Sequence, residues 1–264
     1  MLDEPYRWLE AVNNRRDYIE DQLRGGSPVV GLRYDDGLLL VTIGRGQRKI
    51  FEVHDRIALS AIGHSADIER LRMMATDTAS VQGFQSSVDD VTLHRLTNFV
   101  LGPTIKQSFE AIFGSAYIIK MLLAELGARG EGDGFIALNY DGTVQSNQDR
   151  EVIGGTHEAE TAMQNYLSAA DASESSLTTA LQLALETWVV GWELGVQETD
   201  ADSDEEANEG AELTMDKERL HGVLRDELQA GEIEGAVLET SRRSNNKFRL
   251  LTLAEIDAAI ADWL

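Results

Sequence analysis

The order of strand-like and helix-like hydrophobic spacing is the feature of this chain that most limits its fold. Apolar residues alternate or run continuously in strands, whereas in helices they recur every three or four positions. Strand-like spacing covers 28–63, 116–153 and 233–253, and helix-like spacing covers 6–24, 65–112, 157–194 and 254–264. Because strands and helices occur in separate blocks, the pattern is not that of a βαβ chain with a parallel sheet.

Two antiparallel sheets packed face to face, with helices on both outer faces, would bury all of these apolar stripes. We therefore predict an α+β fold, a four-layer α-β-β-α sandwich. Residues 1–26 are predicted to form an N-terminal arm, and 27–264 one domain with an acidic insertion at about 195–232. The Asp-Gly steps at Asp36–Gly37 and Asp141–Gly142 each predict a hairpin turn.

Several local details also follow from the pattern. The four strands within 28–63 are expected to form one antiparallel sheet. Ser65 is expected to cap the next helix, and Gly102–Pro103 to kink or split the helix after it. Residues 213–231 are expected to form a helical hairpin, and Thr156 or His157 to start a further helix.

Charge and composition exclude several classes of function. The formal net charge is −23, which argues against nucleic acid as a partner, because phosphate binding requires clustered Lys and Arg. No Lys or Arg occurs between Arg150 and Lys217, and residues 198–212 are the most acidic part of that stretch. This stretch is either a solvated loop, the more common case, or an electrostatic collar that attracts a basic partner.

Cofactor and membrane signals are absent from the sequence. The chain has no cysteine, so it has neither a disulfide nor a thiolate metal site, which agrees with a cytoplasmic location. The five histidines show no metal-ligand spacing, and we expect no cofactor. Residues 1–22 are acidic and amphipathic rather than basic then apolar, so we expect no secretory signal and no membrane partner.

The stretch RGGSPVV, residues 24–30, places Ser27 directly after two glycines and before a strand. Ser27 is either a nucleophile released by cleavage after Gly26 or an ordinary residue at the entry to a strand. A serine hydroxyl is a weak nucleophile until a nearby base accepts its proton. The choice between these alternatives determines whether the chain is an enzyme.

Five stretches, in this order, resemble the proteasome subunit family, and most closely its α-type subunits from bacteria. They are SPVVGLRYDDGLLLVT, RKIFEVHDRIALSAIGHSADIERLR, LNYDGTVQ, VIGGTHEAETAM and SLTTALQLAL, within residues 27 to about 190. The resemblance implies the four-layer sandwich of the N-terminal nucleophile hydrolases. It also implies one of two roles, a catalytic β-type subunit that cleaves itself before a threonine or a non-catalytic α-type subunit of the outer ring.

The resemblance places Ser27 at the position of the catalytic threonine and Lys49 at that of the lysine which assists it. The acidic residue that orients this lysine falls at Ile43, which is apolar, and Pro28 stiffens the chain after Ser27. We therefore expect a non-catalytic subunit with no catalytic residues. The alternatives are a self-processing N-terminal serine hydrolase cut at Gly26–Ser27, or a ring-forming homologue without a β partner.

The resemblance also implies a docking site and a set of partners. In α-type subunits the lysine at the Lys49 position, beside a glycine that corresponds to Gly63, binds the C-terminal carboxylate of an activator or ring ATPase. His64 takes the place of a hydrophobic neighbour in that pocket. The implied partners are identical subunits in a homo-heptameric ring, catalytic β-type subunits, ATPase tails and unfolded protein substrates in transit.

The N-terminal arm is the second functional candidate. In α-type subunits such arms close the axial pore, and here Pro5, Tyr6 and Trp8 are the predicted gate residues. Tyr6 and Trp8 can pack against their copies on the ring axis, and Pro5 limits the flexibility of the arm. The Tyr-Asp-Arg triplet of other α arms is absent, and an ordinary frayed terminus is the alternative.

Overall fold

The secondary structure follows the predicted block order. A computed structural model describes residues 4–111, 113–128, 132–170, 175–200 and 216–263. The helices are α1 Glu4–Leu23, α2 Ser65–Gln85, α3 Leu93–Leu96, α4 Gly102–Glu110, α5 His157–Ser168, α6 Leu177–Asp200, α7 Lys217–Glu227 and α8 Leu253–Ile260. The strands are β1 Val29–Tyr34, β2 Gly37–Gly44, β3 Ile50–His54, β4 Ile57–Gly63, β5 Ile119–Glu125, β6 Gly134–Leu138, β7 Val144–Asn147, β8 Arg150–Ile153, β9 Glu232–Glu239 and β10 Phe248–Leu250.

The strands form two five-stranded antiparallel sheets. The first has the order β10-β9-β2-β1-β8 and the second the order β3-β4-β5-β6-β7. One apolar core lies between the sheets, a second between the first sheet and helices α5 to α8, and a third between the second sheet and helices α2 to α4. The predicted four-layer α-β-β-α sandwich is therefore confirmed.

The assignment of the first four strands to one sheet is wrong. Strands β1 and β2 pair in the first sheet, whereas β3 and β4 pair in the second. Each pair is a local hairpin, and the turn of the first pair, at Asp36–Gly37, was predicted correctly. The segment 45–49 carries the chain from one sheet to the other, and hairpin signals say nothing about which sheet a hairpin joins.

Three predictions at helix ends have different outcomes. The residue that caps α2 is His64 rather than Ser65, because the His64 imidazole accepts the N–H of Ala66. The described part of the predicted hairpin, 216–231, contains a single helix over Lys217–Glu227, since the chain turns at 228–231 and enters β9, and 213–215 lie outside the described residues. The interruption at Gly102–Pro103 is present, as a π-helical turn over Thr97–Leu101 that precedes α4.

The second half of α1 is part of the core. Ile19 and Leu23 are fully buried in the core between the two sheets. The Arg15 guanidinium donates to the main-chain carbonyls of Phe109 and Ala111, the latter at 2.8 Å, and so holds α1 against the end of α4. This half of the predicted arm is therefore anchored to the sandwich.

Replacing Leu23 by Ala should lower the free energy of unfolding by about 2–5 kcal/mol, because it leaves a cavity between the sheets. The matched variant Leu9→Ala removes a side chain of the same helix that is 63% exposed, and should change stability by no more than about 0.5 kcal/mol. Chemical denaturation measures both. Equal effects of the two variants would show that α1 is not anchored by Leu23.

Candidate functional site

A cavity of about 620 Å³ opens where α1 ends and β1 begins. Its walls come from the Gly25–Ser27 junction, the end of β2, the start of β3, the end of β4 and the helices α2, α6 and α7. Among its lining residues are charged, hydroxyl and aromatic side chains that can bind or react with a ligand, namely Ser27, Arg45, Arg48, Lys49, Glu69, Trp188, Trp192 and Glu227. The cavity thus contains Ser27, Lys49 and Gly63, three residues that the sequence singled out.

The Ser27 hydroxyl is fully engaged by neighbouring groups. It donates to the main-chain carbonyl of Ile43 at 2.7 Å and accepts the indole N–H of Trp188 at 3.2 Å. A hydroxyl that donates its proton to a carbonyl cannot at the same time donate it to a general base. In this conformation Ser27 therefore serves as a hydrogen-bonding residue at the start of β1.

The Lys49 ammonium is bound by neutral oxygens. It donates to the main-chain carbonyl of Ser27 at 2.9 Å and to the hydroxyl of Thr42 at 3.3 Å. Within the described part of the chain no carboxylate lies within 4.0 Å of this ammonium. Burial lowers the pKa of Lys49 from 10.5 to about 8, and the charge of Glu234 opposes this shift.

Glu234 and Thr42 support this arrangement, and the sequence did not point to either. The Glu234 carboxylate accepts the main-chain N–H groups of Lys49 and Ile50, at 2.8 and 2.7 Å, so β9 of the first sheet fixes the start of β3 in the second. The Thr42 hydroxyl is buried and donates to the carbonyl of Pro28 at 2.7 Å. Both residues look like ordinary polar positions in a strand, so only the sheet pairing reveals their role.

Gly63 and His64 are adjacent in the sequence but have different surroundings. Gly63 lines the cavity with a φ of +126°, and a Cβ there would lie 2.1 Å from the carbonyl oxygen of Ile118, so only glycine fits. His64 is not among the lining residues, and its imidazole faces the N–H of Ala66 at 3.3 Å. The structure therefore groups Lys49 with Gly63, and a role of His64 in tail binding stays a prediction.

The mouth of the cavity carries two guanidinium groups and an aromatic wall. Arg45 pairs with Glu227 at 2.6 Å and lies 5.2 Å from the ring centre of Trp192, which stacks on Trp188. The Arg48 side chain is 50% exposed, and the nearest carboxylate oxygen found for it is 4.0 Å away, on Glu234. Of these two guanidinium groups, Arg48 is therefore the one without a close carboxylate, although Glu69 and Glu227 also line the cavity.

The predicted gate residues are only partly described. The backbone of Pro5 and Tyr6 lies in α1, and their side chains lie outside the described part of the structure. Trp8 is 42% exposed on the same helix. The assignment of these residues to a gate stays a prediction.

The described residues contain neither a candidate membrane span nor a candidate metal site. None of their helices is both long enough and apolar enough to cross a bilayer. No group of three or more His, Cys, Asp or Glu side chains among them is arranged to hold a metal ion.

The fold agrees with comparisons against known proteins. The model of the family described as "Proteasome subunit" matches residues 23–189. The proteasome subunit alpha of Streptomyces scabiei (strain 87.22) is 27% identical over 250 residues, which cover 94% of this chain and 88% of that protein. The proteasome subunit alpha of Nocardioides sp. (strain ATCC BAA-499 / JS614) is 31% identical over 182 residues, covering 67% and 68%.

A third relative, the proteasome subunit alpha of Thermomonospora curvata, is 29% identical over 235 residues, which cover 87% of this chain and 95% of that protein. The chain belongs to the proteasome subunit family. The family predicted from the sequence is confirmed, and the names of these relatives support the interpretation as an α-type subunit.

The Lys49 pKa leads to a prediction about stability and pH. Between about pH 8 and 10.5 the native Lys49 has lost its proton while the unfolded one keeps it, so this group raises the free energy of unfolding as the pH increases. The variant Lys49→Met lacks this contribution. Urea denaturation across this pH range should show wild type gaining stability relative to the variant, and a constant difference would contradict the lowered pKa.

Proposed function

We propose that the chain is a non-catalytic α-type subunit of a proteasome core particle in the cytoplasm. Identical copies form the outer, homo-heptameric ring, which stacks on rings of catalytic β-type subunits. The names and coverage of the relatives support the α-type assignment. The ring controls the passage of unfolded proteins towards the catalytic chamber and receives the tails of a ring ATPase.

The non-catalytic assignment rests on the hydrogen bonds made by Ser27 and by the neighbouring Lys49. Its hydroxyl donates to the Ile43 carbonyl, and the neighbouring Lys49 ammonium contacts two neutral oxygens. Ile43, at the position where the catalytic members carry an acid, contributes only a main-chain carbonyl here. A nucleophile of this type loses several orders of magnitude in rate when a partner is missing.

The cavity supports a docking role. Its Lys49 ammonium has no carboxylate partner among the described residues, and a terminal carboxylate would supply one. Gly63 lines the same cavity, and its close packing against the Ile118 carbonyl requires glycine at this position. In this proposal His64 borders the docked tail, and Pro5, Tyr6 and Trp8 form the gate.

The non-catalytic assignment predicts the mass of the chain in the assembled particle. In active particles the full 264-residue chain should be present together with a second, threonine-initiated subunit. Intact mass spectrometry of each chain provides the test. Loss of the first 26 residues would show cleavage at Gly26–Ser27 and favour the serine hydrolase instead, and particles that lack a second subunit would favour a ring without a β partner.

If ATPase tails dock at Lys49, a substitution there should weaken tail binding without affecting ring assembly. Lys49→Ala should leave ring assembly intact but weaken tail binding about tenfold or more, because a charge-assisted hydrogen bond contributes about 1.5–3 kcal/mol. Degradation stimulated by the cognate ATPase would fall accordingly. Lys106→Ala is the matched control, since this exposed lysine pairs only with Glu110 of its own helix. Stimulation that is equal in both variants would refute docking at Lys49.

A further inference from the structure

Lys49 combines two features that no other lysine of the described residues combines, since it has no carboxylate partner and it also lines the cavity. Lys247 donates only to main-chain carbonyls, those of Thr240 and Arg242, but it does not line this cavity. Lys120 is 7% exposed and pairs with Glu160 at 2.7 Å, and Lys106 is exposed and pairs with Glu110 at 3.7 Å. Lys49 is half-buried, lines a cavity of about 620 Å³, and binds two neutral oxygens. An amine without a carboxylate partner that faces a cavity of this size is placed to meet a small molecule.

The protonation of this amine is also unusual. Burial lowers the pKa of Lys49 to about 8. About a tenth of the Lys49 side chains are then neutral at pH 7, compared with fewer than about one in a thousand for an ordinary lysine. Only the neutral amine has a free electron pair, and desolvated lysines are accordingly those that act as nucleophiles.

One guanidinium group at the mouth of the cavity, that of Arg48, can bind an anionic molecule. Arg45 and Arg48 lie within four positions of Lys49 and line the same cavity. Guanidinium groups bind phosphate through paired hydrogen bonds, and the Arg48 group is half-exposed with no carboxylate oxygen found closer than 4.0 Å. The stacked rings of Trp188 and Trp192 supply an apolar wall beside these charges.

We propose that Lys49 is an acylation site for small acyl phosphates that enter this cavity. Arg48 at the mouth holds the phosphate group, and the neutral amine of Lys49 attacks the acyl carbon. A C–N bond forms, the C–O bond to phosphate breaks, and phosphate leaves with the electron pair of that bond. The proton displaced from the nitrogen passes to the leaving phosphate or to water, so the products are an amide and inorganic phosphate.

Acylation changes the charge of the site. The amide formed on Lys49 carries no positive charge and cannot pair with a carboxylate. If the proposed docking function holds, each acylated copy loses its ability to bind an ATPase tail, so the modification acts as an off-switch for docking. The acylation itself does not depend on that function, and neither does its test.

The test uses the purified full-length chain, in the assembly that it forms, with acetyl phosphate as the probe. Peptide mapping by mass spectrometry follows the acetylation of Lys49 and Lys106 in the same sample. At neutral pH Lys49 should react roughly tenfold faster, since its larger neutral fraction outweighs its weaker intrinsic nucleophilicity. Its rate should level off above about pH 8. A rate at Lys49 equal to or below that at Lys106 would overturn the proposal.

The variant Arg48→Gln tests the binding of the donor. It should slow acetylation of Lys49 by acetyl phosphate several-fold and leave Lys106 unaffected, whereas a neutral donor such as phenyl acetate should show no such dependence. Thermal unfolding of the variant verifies that it is folded. An unchanged rate at Lys49 with acetyl phosphate would overturn the proposed selection of an acyl phosphate. A missing β partner would contradict the proposed function without altering either rate. Cleavage at Gly26–Ser27 would also contradict it, and the same peptide mapping would detect it, since it creates a new amine beside Lys49.

Discussion

The burial of both faces of the central strands is the constraint on which the architecture depends. Every residue of β2 and of β5 is buried, so each strand needs a packing layer on both sides. A second sheet supplies one layer and a set of helices the other, which produces the four-layer order. At the edge where α1 joins β1 these layers leave a gap, and that gap is the cavity.

Polar contacts hold this gap open in a defined shape. Glu234 of the first sheet binds the N–H groups of Lys49 and Ile50 at the start of β3, and Lys49 in turn binds the carbonyl of Ser27. The two sheets are thus joined at their open edge by a carboxylate and an ammonium that do not contact each other directly. This separation leaves the ammonium available to an external anion, and it connects the proposed docking role with the proposed reactivity of Lys49.

The sequence predicted most of the fold because its signals there are local. The block order of strands and helices, the Asp-Gly turns and the Thr156 cap depend on neighbouring residues, and the structure confirms them. The assignment of β3 and β4 to the second sheet depends on long-range packing, which no local pattern records. The cap of α2 is an imidazole, and His64 was not expected in that role because Ser65 beside it is the commoner type.

The sequence predicted the candidate site only in part, because several contacts in the site join residues that are far apart in the chain. The resemblance to the proteasome family brought attention to Ser27, Lys49 and Gly63, and these residues do line one cavity. Trp188 and Glu234 lie 161 and 185 residues away from the groups that they bind. Trp188 lies in an apolar helix and Glu234 in a strand, and the residues next to them in the sequence do not indicate these contacts. Only the packing of α6 and the pairing of β9 identify them.

Helices α6 and α7 are fixed to each other independently of the segment that joins them. Glu186 of α6 binds Lys217 at 3.2 Å, and Glu193 binds Arg219 at 3.1 Å, so the first turns of α7 are anchored directly to α6. Because α6 also carries Trp188 and Trp192 of the cavity wall, these ion pairs connect α7 to the helix that bounds the cavity.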